Sequence, residues 1–211
     1  MSTVNDIIND VRLELNDTAD ARYTDAQLIQ VVNRAINRAN RIAQRNELQF
    51  AKKKATLTCS SAVSTVALPN DFDVPLPRAL WRTDTKEEVV LVKENQWEEI
   101  ASDEENLAYA YLDMENSLLH FKGTPTEATT LSFYYFPTIS TSAYTAGTTM
   151  PWGGRLDDAI KEYVTLRCQN IDEMDVSANL QLLHDFENQI LSAYRNLAPT
   201  VILPAGPMEG Y

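Results

Sequence analysis

The sequence predicts an α+β fold. Helices from both chain ends form a bundle, an antiparallel β-rich module is inserted between them, and an extended arm closes the chain. Three observations predict this. Apolar residues recur at helical spacing near both ends, short alternating runs broken by prolines fill the middle, and the last stretch is too rich in proline for either pattern. The expected divisions are residues 1–50 and 151–197 for the bundle, 51–150 for the β-rich insertion and 198–211 for the arm. With 211 residues the chain is long enough to bury a core without staples, on the order of 70% of its unfolded surface.

The elements follow in order. Thr3 is placed to cap a first helix, with Asp6 in its first turn and Val4, Ile7, Ile8, Val11 and Leu15 at helical spacing. Asn16 to Arg22 is a polar break. Thr24 then opens a second helix with Gln27 three residues on, a capping box that satisfies two orphan amides. Leu28, Val31, Val32, Ala35, Ile36, Ala39, Ile42 and Ala43 give that helix one broad apolar stripe.

Seven short strands are expected in the middle. Leu57/Cys59 and Val66/Leu68 read as a hairpin around Ser60-Ser61, Ala79–Arg82 and Val89–Val92 flank the turn Thr83–Lys86, and Tyr109/Tyr111 and Leu119/Phe121 flank Asp113–Asn116. Leu131–Phe136 is apolar on both faces and is expected to be central. Pro69, Pro75, Pro77, Pro125 and Pro137 are expected at strand ends and edges, and a short helix near Gln96–Ala101. Helices return with Leu156, Ile160, Tyr163, Val164 and Ile171 on one face, behind Asp157 and Asp158, which suit a helix N-terminus. In the last helix Val176, Leu183, Ile190 and Leu197 lie seven apart, with Leu180 and Tyr194 between them, a heptad seam that Glu187 interrupts. Pro199, Pro204 and Pro207 forbid a helix in the arm, which still carries the apolar trio Val201, Ile202 and Leu203. That trio either folds back on its own domain or orders on a partner.

Composition and motifs exclude more chemistry than they offer. A formal charge of -12 argues against wholesale binding to nucleic acid or to an anionic membrane. Residues 1–6 lack the basic start and apolar run of a signal peptide, no window approaches 18 apolar residues, and the expected setting is a cytoplasm. Two cysteines, Cys59 and Cys168, make no disulfide framework and read as small core residues. Neither G-x-G-x-x-G, G-x-x-x-x-G-K-[ST] nor G-x-S-x-G occurs. His184 and Glu187, one turn apart near Asp172, Glu173 and Asp175, are the best metal pair but lack a full ligand set, and Asp157-Asp158 or Glu104-Glu105 are adjacent and do not converge as an acid/base couple. No catalytic residue, cofactor or metal is expected.

The informative pattern is electrostatic. Residues 34–54 hold Arg34, Arg38, Arg41, Arg45, Lys52, Lys53 and Lys54 against Glu47 alone, a local net of +6, whereas residues 55–211 hold 9 basic and 23 acidic residues, a net of -14. At 100° per residue the four arginines fall within an arc of about 60° beside the apolar stripe. A further face carries Gln30, Asn33, Asn37, Asn40 and Gln44. Three readings fit the arginine edge: it meets acids of the same fold, it meets carboxylates of a second copy, or it contacts phosphate, since the planar guanidinium fork suits both anions.

Arg12-Leu13-Glu14-Leu15, then Tyr23-Thr24-Asp25-Ala26-Gln27-Leu28, then Asn33-Arg34-Ala35 resemble the start of head-to-tail connector adaptors, the portal adaptors of tailed phages, which show R-L-x-L, an aromatic-[ST]-D-x-x-L opening and N-x-A. Leu68-Pro69-Asn70-Asp71-Phe72 resembles their recurring L-P-x-D-F segment, and the helices after Leu156-Asp157-Asp158-Ala159 sit where such proteins close their bundle. The resemblance implies a structural virion protein at the head-tail interface, assembled in the host cytoplasm. It implies a ring of identical copies, commonly twelve-fold, that extends the channel for passing double-stranded DNA. The implied partners are further copies, the portal protein and tail nozzle or fibre proteins, with the C-terminal segment gripping the portal or a neighbour. No membrane and no catalytic residue is implied. Rival readings are a tail-completion or tail-tube protein, a ligand-binding β module or enzyme using Trp81, Trp97, Tyr109, Tyr111 and Trp152, and a DNA-binding regulator.

Overall fold

The computed structural model describes residues 1–18, 22–101, 107–140, 142–173 and 176–195. The fold is mixed α+β, with a seven-stranded sheet and five α-helices among the described residues. It divides into two compact units, residues 1–42 with 141–211, and residues 43–140.

The first unit is helical. Helix α1 (Val4–Glu14) is capped by Thr3, whose hydroxyl accepts from the Asp6 amide while Asp6 Oδ2 accepts from the Thr3 amide at 2.7 Å. Helix α2 (Asp25–Arg45) opens with the expected box. Gln27 Oε1 accepts from the Thr24 amide at 2.9 Å, and Thr24 Oγ1 accepts from the Gln27 amide. Residues 2–5 lie against a return segment, with Val4 N donating to Thr148 O and Met150 N to Ser2 O, both at 2.9 Å. Helix α4 (Asp157–Glu173) packs against α1 and against α5 (Val176–Arg195). Glu14 of α1 meets α4 twice, accepting from Thr165 Oγ1 at 2.8 Å and pairing with Lys161 at 3.5 Å.

The face of α5 differs from the heptad expectation. Leu182, Phe186 and Ile190 are buried, spaced four apart, while Leu180 is 65% exposed and Leu183 is half-buried. Against α4 the helix uses a wide 3.6-residue face rather than a coiled-coil seam. The aromatic pair Tyr163–Phe186, with centroids 4.6 Å apart, sets that contact.

The second unit is the sheet, in the order β1-β7-β3-β4-β5-β6-β2. The strands are β1 (Lys53–Cys59), β2 (Thr65–Ala67), β3 (Phe72–Arg82), β4 (Glu88–Leu91), β5 (Tyr109–Asp113), β6 (Leu118–Phe121) and β7 (Thr129–Pro137). The β3–β4 and β5–β6 hairpins fall where the turns predict, and β7 is paired on both sides and almost wholly buried. Two expectations are corrected. The β1 and β2 strands do not pair with each other; β1 pairs with β7 and β2 with β6, at the two ends of the strand order. Nor is the sheet wholly antiparallel: β4 and β5 are parallel, joined by a long connection that holds the short helix α3 (Glu94–Trp97).

Pro75 and Pro77 lie inside β3 rather than at its ends. The register against β7 shifts between Pro75 and Leu80, a bulge in which Arg78 adopts φ 55° and no ladder donor is required of the prolines. Trp81 Nε1 donates to the Arg78 carbonyl and Arg78 Nε to Glu88, each at 2.7 Å, which holds the bulge. Both cysteines are free and buried, as their reading as core predicts, and burial pushes the Cys59 thiol up. Among the described residues no helix is long and apolar enough to cross a membrane.

Candidate subunit interface

The arginine edge is positioned by side chains that cluster before it. Arg12 and Asp17, 6% and 5% exposed, form a buried ion pair. Arg12 Nη1 donates to both the backbone oxygen and Oδ2 of Asp17 at 3.3 Å, and Nη2 donates to Asp25 Oδ1 at 2.6 Å. The Asp17 carboxylate also accepts from the amides of Arg22 and Tyr23, each at 3.0 Å. Tyr23 in turn donates its hydroxyl to the Cys168 carbonyl of α4 at 2.8 Å. The first turn of α2 is thereby tied to both α1 and α4.

Along α2 the apolar stripe from Leu28 to Ala43 is buried as expected, except that Val31 is half-buried. Beyond exposed Gln30, the amide face is not a solvent face. Asn33 and Asn40 are buried, and Asn33 clasps Tyr144, donating to its carbonyl at 2.8 Å and accepting from its amide at 3.0 Å. Gln44 donates to Asp73 at 2.7 Å. With two faces engaged, the arginines occupy what is left. Arg34, Arg41 and Arg45 are exposed and Arg38 is half-buried.

None of Arg34, Arg38 and Arg41 has an ion-pair or hydrogen-bond partner for its side chain among the described residues, and Nε of Arg38 is buried without one. Arg45, beyond the unit boundary, is engaged. The lysines of the basic run are engaged too. Lys53 pairs with Asp71 at 2.6 Å, and Lys52 and Lys54 lie over the Tyr134 ring at 5.9 and 5.6 Å. The run of +6 read from the sequence therefore separates into lysines satisfied within the sheet unit and three arginines left open on α2.

The L-P-x-D-F segment has a similar structural account. Burial pushes Asp71 up, but the bonds it accepts from Lys53 and from the Tyr135 hydroxyl, each at 2.6 Å, hold its carboxyl below the usual range. Phe72 stacks against Phe133 at 5.4 Å. The SU10 adaptor protein family profile matches residues 2–202. The chain belongs to the SU10 adaptor protein family. It is thus a phage adaptor, a structural component of a virion. No curated protein matches it.

In this SU10 adaptor the motif residues Arg12, Tyr23, Asp25, Asp71 and Phe72 all act in holding the fold, and the arginine edge lies outside them apart from Arg34. Other candidates do not converge. Trp97 packs tilted against Tyr111, which stacks on His120, each centroid 4.8 Å from the next, with Lys122 over Trp97, while Trp81 stacks on Arg78 and Trp152 belongs to the other unit. His184 is exposed, and no group of three metal-ligating side chains occurs among the described residues. Asp157 is raised above the usual carboxylate range by burial and then by Asp158, and hydrogen-bonds Ser2. Val201, Ile202 and Leu203 of the arm, and Glu104 and Glu105, lie outside the described residues. Two acids that the sequence did not single out, Glu162 on α4 and Asp185 on α5, are exposed and have no cationic partner among the described residues. For Asp185 the Gln181–Asp185 spacing was the one local signal, and Glu162 had none.

Proposed function

We propose that this SU10 adaptor forms a ring of identical copies, twelve in the reading the phage resemblance gives, seated between portal and tail. There it extends the DNA channel and docks tail nozzle or fibre proteins. The helical elements of both chain ends form the bundle of each copy, and the arm with Val201, Ile202 and Leu203 grips the portal or a neighbour. Membership of an adaptor family over residues 2–202 carries this reading. The open row Arg34, Arg38 and Arg41 supports it, because unpaired guanidinium groups on an ordered helix suit an intermolecular contact. A net charge of -12 suits passage of DNA without retention.

Electron microscopy of the purified chain mixed with portal assemblies tests the proposal. Rings stacked coaxially on one portal face are the expected result. Attachment to tail-tube ends with none to portals would assign the chain to tail completion instead. Removing residues 200–211 is expected to leave the circular dichroism spectrum unchanged while reducing portal attachment in the same images.

A further inference from the structure

Helices α4 and α5 leave a shallow groove on the helical unit. Tyr163, Leu166 and Phe186 line its floor, and Glu162 and Asp185 stand at its rim. Leu166 is 36% exposed, and the floor is apolar. Each rim carboxylate is held by one oxygen only. Glu162 Oε2 accepts from Gln189 at 2.7 Å and Asp185 Oδ1 from Gln181 at 2.8 Å, so Glu162 Oε1 and Asp185 Oδ2 have no partner among the described residues. Such carboxylates are pre-oriented acceptors. Fixing one oxygen lowers the conformational cost of a second, charge-assisted bond.

We infer that this groove receives the arginine edge of α2 from a second copy of the chain, with Arg34, Arg38 and Arg41 against Glu162 and Asp185. This rests on the ring reading above and names the surface that completes it. The complementarity is specific. The same unit carries Arg34, Arg38 and Arg41 without an anionic partner and Glu162 and Asp185 without a cationic one among the described residues, and the two sets do not pair within one chain. Two different patches on one protomer make a heterologous contact, the kind that closes rings. Arginine stems are long enough to cover Leu166 and the ring edges while their heads stay at the acidic rim. The groove's own acids repel phosphate, so the complementary occupant is a basic protein edge.

The test uses two full-length variants, Arg34→Glu/Arg38→Glu/Arg41→Glu and Glu162→Lys/Asp185→Lys, with native mass spectrometry across concentration, alone and with portal. Each variant alone is expected to raise the concentration for half-assembly by about tenfold or more, since like charges then face each other. Mixed in equal amounts they are expected to reassemble in alternation, because the acidic edge of the first variant then meets the basic groove of the second, and the unreversed edge of the second meets the unreversed groove of the first. Two folded, unassembled variants that stay apart on mixing would overturn the pairing, as would wild-type assembly by the groove variant. In that last case rings persist and the adaptor reading stands. Wild-type chains that form no ring, alone or on portals, would remove both. Should a reversal unfold the chain, Glu162→Gln/Asp185→Asn keeps the shape, and undiminished assembly by it overturns the pairing. Salt-sensitive duplex binding lost in the arginine variant, with its assembly intact, would give the arginines to phosphate and also overturn it.

Discussion

The Arg12 side chain shows how much one residue can settle. Its guanidinium is buried and holds Asp17 and Asp25 at once, so truncation leaves a buried carboxylate whose charge has lost its partner. Arg12→Ala is expected to destabilise the fold by about 3–5 kcal/mol, read from urea unfolding, whereas Arg34→Ala stays within about 0.5 kcal/mol. Asp84 offers a test by pH. The Arg82 guanidinium at 2.8 Å, and then the Thr85 amide, hold its carboxyl at about 2. A depressed acid stabilises above its unfolded value and loses that contribution as pH falls through its folded one. Melting temperatures of wild type and Asp84→Asn are therefore expected to differ at pH 5 and to converge as pH drops from about 4 toward 2. A gap that persists unchanged at pH 2 would contradict the pairing.

At the scale of elements, legibility tracked how local the deciding interactions are. Thr3 with Asp6 and Thr24 with Gln27 announce both early helices because a capping box is complete within four residues. The β3–β4 and β5–β6 hairpins were readable for the same reason. Pairing of β1 with β7 was not, since Leu57 meets Leu131 across more than half the sheet's sequence and no short motif encodes that register. The two hairpin turns were legible although Lys86 and Ser117, rather than glycine, take left-handed φ values in them. The α5 seam misled because heptad spacing fits several faces of a 20-residue helix, and Phe186 selects the one against Tyr163. Phe186→Ala is accordingly expected to cost about 3–5 kcal/mol, and Leu180→Ala less than about 0.5, in the same unfolding assay. Equal effects would restore the heptad face. Of the candidate interface, the arginines were legible as an arc on one helix. Glu162 and Asp185 were not, because their shared groove exists only once α4 and α5 pack.

For the whole molecule, net charge and local pairing pull in opposite directions. In the proposed ring a protomer of -12 would repel its neighbours over long range, while Arg34, Arg38 and Arg41 would attract at contact. Salt screens the first more than the second, since the Debye length is about 10 Å at 0.1 M and pairs in contact lie well inside it. Assembly measured by sedimentation velocity is expected to strengthen from low salt to about 0.1 M and to weaken toward 1 M. A monotonic fall from the lowest salt would mean that the attraction dominates throughout. The sheet unit also supplies its own optical reporter. Tyr135 is pushed above the ordinary tyrosine range by burial and by its bond to Asp71, and it lies between β1 and β3 on the most buried strand. In an alkaline absorbance titration of the nine tyrosines, this ring's conversion to tyrosinate should lag until the strands around it part, so that its delayed signal dates the opening of the sheet without any added label.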